Sequence, residues 1–238
     1  MAGQFDRSLP LFGEDGLSTL HTSRVALFGV GGVGGHCAEA LARSGIGHLD
    51  LIDPDTVEIT NLTRQWVATH STLGKNKAQA AKERILDIYP ECLVRVFPVF
   101  YLPDRDTGLP PFSSYDFIID AVDTMTAKIG LIRDAQAAGV PIVCSMGAGN
   151  KTDPSRFRVT DLYKTDTDPM ARILRKKLRD LGLHSVPVAW SDEPAGPGIT
   201  DERTGKQVPA SAPFVPGAVG MILASYVVRS LIQGVGHA

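Results

Sequence analysis

The chain has 238 residues, 43% of them hydrophobic, and its 24 Lys and Arg set against 26 Asp and Glu give a formal net charge of −2. This is the profile of a globular protein with a sizeable core, long for one domain but ordinary for a single α/β unit, and its charge excludes indiscriminate nucleic-acid binding while leaving room for a local basic patch. Its three cysteines, Cys37, Cys92 and Cys144, are scattered, which excludes a disulfide framework and a Cys-x-x-Cys zinc knuckle and points to a reducing, cytoplasmic setting.

Residues 1–23 carry acids and polar groups with no apolar signal core, and read as an N-terminal arm. Residues 24–28 are a short apolar run ending in glycines, which predicts a buried strand. A helix follows over 37–43, with Ala and Leu at helical spacing, until Gly45 and Gly47 stop it. Residues 48–53 alternate as a second strand. Residues 75–89 predict a helix with Ala78, Ala81, Ile85 and Ile88 on one face, closed by Pro90. Strands are predicted at 93–100, 115–122 and 141–145, with a helix over 129–138 between the last two. This alternation calls for a Rossmann-like, doubly wound α/β fold: a mostly parallel sheet with helices on both faces.

Beyond Asn150 the pattern changes. A strand is expected at 156–162. A helix is expected over 168–181, opened by Asp168-Pro169, with Ile173, Leu174, Leu178 and Leu181 on its apolar side. Residues 191–213, rich in Pro, Gly and charge, predict a long mobile loop, and a closing helix follows over 217–232. The apolar stretch 214–235 contains Pro216 and Arg229, so it reads as a buried or subunit-facing helix rather than a membrane span. The expected organisation is one domain: the arm 1–23, a nucleotide-binding core 24–150, and a substrate-facing segment 151–238.

The chemistry begins at Gly29-Val-Gly31-Gly32-Val-Gly34, a Gly-x-Gly-x-x-Gly loop lying directly after a strand and opening a helix. Glycines there allow a tight turn and let phosphates approach backbone N–H groups at the positive end of the helix. Asp53, at the end of the second strand, stands where a carboxylate accepts from ribose hydroxyls. Loop and aspartate alone do not separate NAD from ATP. The next residues do: Asp55, then Asn61, Arg64 and Gln65, then Lys77, bring charge and polarity for a triphosphate attacked at its α-phosphorus. Asp123 is placed to hold Mg²⁺ near the phosphates, and Asp120 to cap the following turn or support its loop.

The ordered set Gly-x-Gly-Gly-x-Gly, Asp53, Asn61-x-x-Arg64-Gln65, Lys77 and Asp120-x-x-Asp123 resembles the ubiquitin-activating-enzyme-like (ThiF/MoeB/HesA) superfamily. Gly45-Ile-Gly47 through Asp53, Gly147-Ala-Gly149, Asp153-Pro154 and Asp168-Pro169 are similar to its tRNA threonylcarbamoyladenosine dehydratase branch. The resemblance covers nearly the whole chain apart from 191–213. It implies ATP and Mg²⁺ as cofactors, no zinc, and tRNA carrying threonylcarbamoyladenosine as substrate, whose threonyl carboxylate is adenylated and cyclised. It also implies a homodimer, in which Arg7 matches an N-terminal arginine that reaches a nucleotide, often across the dimer. Arg7, Arg64, Lys77 and Asp123 are the catalytic set so implied. A monovalent cation and a sulfur-relay partner protein stay open.

Two further features bear on the substrate. Many superfamily members pass an acyl group to a cysteine, and some dehydratases carry one in the segment matching residues 186–191, where this chain has none. A substrate that supplies its own nucleophile needs no catalytic thiol. Arg172, Arg175, Lys176, Lys177 and Arg179 on one predicted helix, preceded by Lys151, Arg156, Arg158 and Lys164, are candidates for tRNA phosphate contacts. His184 reads as a surface histidine and Trp190 as a core tryptophan. The alternative reading is an adenylyltransferase that activates the C-terminal Gly-Gly of a small sulfur-carrier protein.

Overall fold

A computed structural model of the chain describes residues 3–200, 205 and 207–234. Seven strands form one sheet: β1 Arg24–Phe28, β2 His48–Ile52, β3 Leu93–Phe97, β4 Phe117–Asp120, β5 Ile142–Ser145, β6 Phe157–Asp161 and β7 Pro187–Ser191. Their order is β3-β2-β1-β4-β5-β7-β6, parallel throughout except for β6, which pairs antiparallel with β7 at the edge. The helices are α1 Leu9–Thr22, α2 Gly32–Arg43, α3 Lys77–Ile88, α4 Met125–Ala138, α5 Pro169–Asp180 and α6 Phe214–Gln233. The doubly wound α/β expectation holds.

Side chains on β1 alternate between two cores, as the pleat requires. Val25 and Leu27 join α1, α2, α3 and α6 on one face, while Ala26 and Phe28 join α4 and α5 on the other. Chain order reverses between β1 and β4, so a crevice opens beyond the carboxyl ends of these strands.

Three elements differ from expectation. The arm contains α1, which sequence periodicity hides because Gly13 breaks it with φ 72° and only Gly16, Leu17 and Leu20 are buried. β7 occupies the apolar run read only as a segment lacking a cysteine, and it bridges β5 to β6. Within the predicted mobile loop, Ile199–Thr200 (β8) pairs with Gln207–Val208 (β9); residues 201–204 and 206 of that loop lie outside the described residues.

One face needs correction, and one reading holds. Ile173 and Leu181, expected on the apolar side of α5, are 46% and 57% exposed, because the helix buries only Ala171, Leu174 and Leu178. α6 is long and apolar enough to cross a membrane, yet its Val219, Leu223 and Val227 are fully buried in the core. It lies so close to α2 that a Cβ on Gly220 would come within 2.5 Å of Val33 O.

Candidate active site

The glycines after β1 do different work. Gly29 has φ 89°, and a Cβ there would sit 2.7 Å from Ala121 O; one on Gly34 would sit 1.8 Å from Gly29 O. Both are required for the turn and its packing. A Cβ on Gly31 would meet nothing nearer than Gln65 Nε2 at 3.8 Å, so this position keeps space open toward the crevice. Gly32 begins α2, whose first N–H groups have no acceptor within the helix and lie at its positive end.

One cleft of about 470 Å³ gathers Gly29, Gly31, Gly32, Asp53, Asp55, Asn61, Arg64, Gln65, Lys77 and Asp123. Residues from five separate stretches of chain therefore converge on one cleft. Gly34 stands behind the loop and does not line the cleft.

Asp53 is bound more tightly to the loop than its expected ribose role suggests. Its Oδ2 accepts from Val30 N–H at 2.6 Å and its Oδ1 from Asp55 N–H at 2.9 Å. Burial lifts its carboxyl above the ordinary value, opposed by those two N–H groups and by the Lys77 charge. Each oxygen keeps a further acceptor position for a ligand.

Lys77 opens α3 and donates to Asp55 Oδ2 at 2.8 Å. Asn61 holds its own turn, its Oδ1 accepting from Glu58 N–H at 3.1 Å. Arg64 donates from Nη1 to Thr60 O at 3.1 Å. Gln65 is 8% exposed, and its Oε1 has no hydrogen-bond partner among the described residues. A buried acceptor left open within a cleft is costly without a ligand to fill it.

On the opposite lip Asp123 is exposed, accepting at Oδ1 from Thr124 Oγ1 at 3.3 Å. Asp120 supports the loop, as expected: its Oδ1 accepts from Val122 N–H at 3.1 Å. Sequence reasoning missed its other partner. Lys128, fully buried, donates to Asp120 Oδ2 at 2.7 Å and to Ser145 O at 3.0 Å. The back wall was missed too: Ala148 and Gly149 after β5, with Val208, Pro209 and Ser211 beside them. No spacing rule predicts so distant a return of the chain.

Arg7 does not join this cleft. It is exposed in the turn before α1, two residues after Phe5, whose ring packs 5.2 Å from those of His21 and Tyr89. Those residues lead into β1 and β3, at the amino ends of the strands and opposite the cleft. Arg7 thus lies away from the carboxyl ends of β1 and β4, where the cleft opens.

The basic candidates divide. Arg172, Lys176, Lys177 and Arg179 are exposed on α5, with Arg179 stacked 4.9 Å from the Tyr163 ring. Arg175 instead turns inward and donates to Thr165 O at 2.8 Å. Lys151 is not a surface charge: it is 5% exposed and paired with buried Asp168 at 3.3 Å. Arg156 and Arg158 are paired with Asp192, and Lys164 is exposed. Trp190 is buried and His184 exposed, as read from the sequence.

All three cysteines are buried. Burial pushes the Cys92 thiol up to about 12 and raises Cys37 and Cys144 further above their ordinary value. None is poised as a thiolate nucleophile.

The sequence matches the ThiF family over residues 5–237. It is 42% identical to the tRNA threonylcarbamoyladenosine dehydratase of Bacillus subtilis, across 99% of this chain and 97% of that protein. Identity to the Escherichia coli protein of the same name is 40%, across 76% of this chain and 67% of that one. The solved structure of E. coli tRNA N6-threonylcarbamoyladenosine dehydratase in complex with ATP matches with a TM-score of 0.86 at 33% identity, covering 98% of this chain and 95% of that chain.

Proposed function

The chain belongs to the ThiF family, and from that premise we propose that it is an ATP-dependent tRNA threonylcarbamoyladenosine dehydratase. The observation that carries the reading is the convergence of Lys77, Arg64, Gln65 and the start of α2 on one cleft. Such an arrangement suits a nucleotide triphosphate, its phosphates lying toward Gly31 and the α2 N–H groups.

In this reading a carboxylate oxygen of the threonyl group attacks the α-phosphorus of ATP. The bond to the bridging oxygen breaks and pyrophosphate leaves. A nucleophile on the same modified side chain then attacks the activated carbonyl carbon, AMP departs with the bonding pair, and the proton passes to solvent. The nucleoside has lost one water in sum. Ring closure within one substrate has a large proximity advantage, which agrees with the buried, protonated cysteines. Lys77 and Arg64 stabilise the charge that grows on the phosphates, and Asp53 holds the ribose while fixing the loop.

Mg²⁺ fits the donor set at Asp123. Among the described residues no three His, Cys, Asp or Glu side chains come together to hold a metal. An ion held there by one carboxylate would take its remaining oxygens from phosphates and water, which is the usual habit of Mg²⁺. Its chemistry would be to neutralise phosphate charge. Exposed Arg172, Lys176, Lys177 and Arg179 would contact tRNA phosphates, and the position of Arg7 supports a homodimer.

The test is incubation with ATP, Mg²⁺ and tRNA bearing threonylcarbamoyladenosine, read by mass spectrometry of the nucleosides. Loss of one water, dependent on ATP, is the expected result. Unchanged tRNA together with adenylation of a carrier protein ending in Gly-Gly would give the protein to the sulfur-carrier class instead.

A further inference from the structure

The fully buried Lys128–Asp120 pair lies behind the cleft wall and touches none of the space a ligand could enter. An ion pair so placed is a poor device for stability, since apolar residues of similar volume often serve as well. Its contacts suggest another use. Lys128 joins two strand ends, taking Asp120 Oδ2 at the end of β4 and Ser145 O at the end of β5. The other Asp120 oxygen accepts from Val122 N–H, one residue before Asp123. All four residues from Ala121 to Thr124 line the cleft.

We propose that Lys128 is a positioning residue: through Asp120 and the Val122 N–H it sets the turn that presents Asp123 to the metal-bound phosphates of the nucleotide. The proposal rests on the reading of Asp123 as the Mg²⁺-directed carboxylate. The ammonium is the part that cannot be replaced by packing alone, because it orients the carboxylate whose second oxygen orients the turn. The Gly31 side of the cleft has its own supports in Asp53 and α2 and meets this turn only where Gly29 and Gly34 pack on Ala121 and Val122.

Binding of ATP by calorimetry, without tRNA, separates these two sides. ATP affinity is measured with Mg²⁺ and with EDTA for the unmodified protein, D123N, D120L/K128M and D120N/K128M, each checked for folding by circular dichroism. In D120L/K128M the affinity in EDTA should stay within about threefold, while the gain on adding Mg²⁺ should fall about tenfold, as in D123N. D120N/K128M should recover part of that gain, because its amide oxygen can still accept from Val122 N–H. It also serves as the test variant if the leucine variant does not fold. A full Mg²⁺ gain in the folded pair variants, with the gain lost in D123N, overturns the role of Lys128. A full gain in D123N overturns the reading of Asp123 itself, and the proposal with it.

Discussion

Lys77 and Asp55 meet at 2.8 Å from unequal surroundings, the lysine side chain 9% exposed and the aspartate 64%. The ammonium is held in the cleft wall while its partner stands in water. A pair with one exposed member is worth about 0–1 kcal/mol, so Asp55 can yield the lysine to a phosphate at small cost. Lys77→Ala should therefore lower kcat/KM by roughly 100-fold or more, with circular dichroism unchanged. Asp55→Asn should alter KM for ATP by no more than about threefold. Near-normal steady-state kinetics in the lysine variant would remove that residue from the site.

Asp53 makes a prediction about acidity. Its folded carboxyl is raised above the reference value of 3.8, with burial the largest cause. A raised acid contributes stability that is complete below the unfolded value and is lost as pH rises through the folded value. Asp53→Asn lacks that titration and loses an acceptor for Val30 or Asp55 N–H. The variant should be less stable at about pH 4, and its deficit should narrow toward about pH 7. Urea midpoints across that range check it, and a deficit that widens with pH contradicts the assignment.

The thiols should be silent. Cys37 and Cys92 are buried with no thiolate character, so Cys37→Ala and Cys92→Ala should each keep turnover within about twofold. Alkylating reagent should label the cysteines in urea and spare them in the native protein. Inactivation of native protein at the rate of labelling would instead require a reactive thiol.

The exposed and inward basic residues of α5 should behave oppositely. Neutralising Arg172, Lys176 and Lys177 should flatten the salt dependence of tRNA binding by roughly one slope unit per phosphate contact removed. Arg175→Ala should leave that slope alone and lower the melting temperature, since its guanidinium serves Thr165. Filter binding at several salt concentrations distinguishes them.

These contrasts show where sequence was sufficient. The strand–glycine loop–helix unit, Asp53 and the segment from Asn61 to Lys77 are close in sequence, and local turn and cap chemistry specifies them. Lys128 and Lys151 look like solvated charges because a helix or loop position says nothing of what packs above it. Their burial is decided by Asp120 on β4 and by Asp168 at the start of α5, both supplied by tertiary folding. β7 escaped notice for a related reason: Val186 to Ser191 is apolar but short, and only its place between β5 and β6 makes it a strand. Arg7 was legible as a residue type, while its place by the amino ends of the strands was not.

The close crossing of α6 over α2 has a consequence for biosynthesis. Gly220 lies against Val33 O, and Pro216 lies against Gly32 and lines the cleft, so the glycine loop made early is walled by a helix made late. A nascent chain still lacking α6 on the ribosome presents that loop with one side open to water. Full affinity for nucleotide should then arrive only once α6 docks, and bound ATP should in turn resist the opening of the fold from that side.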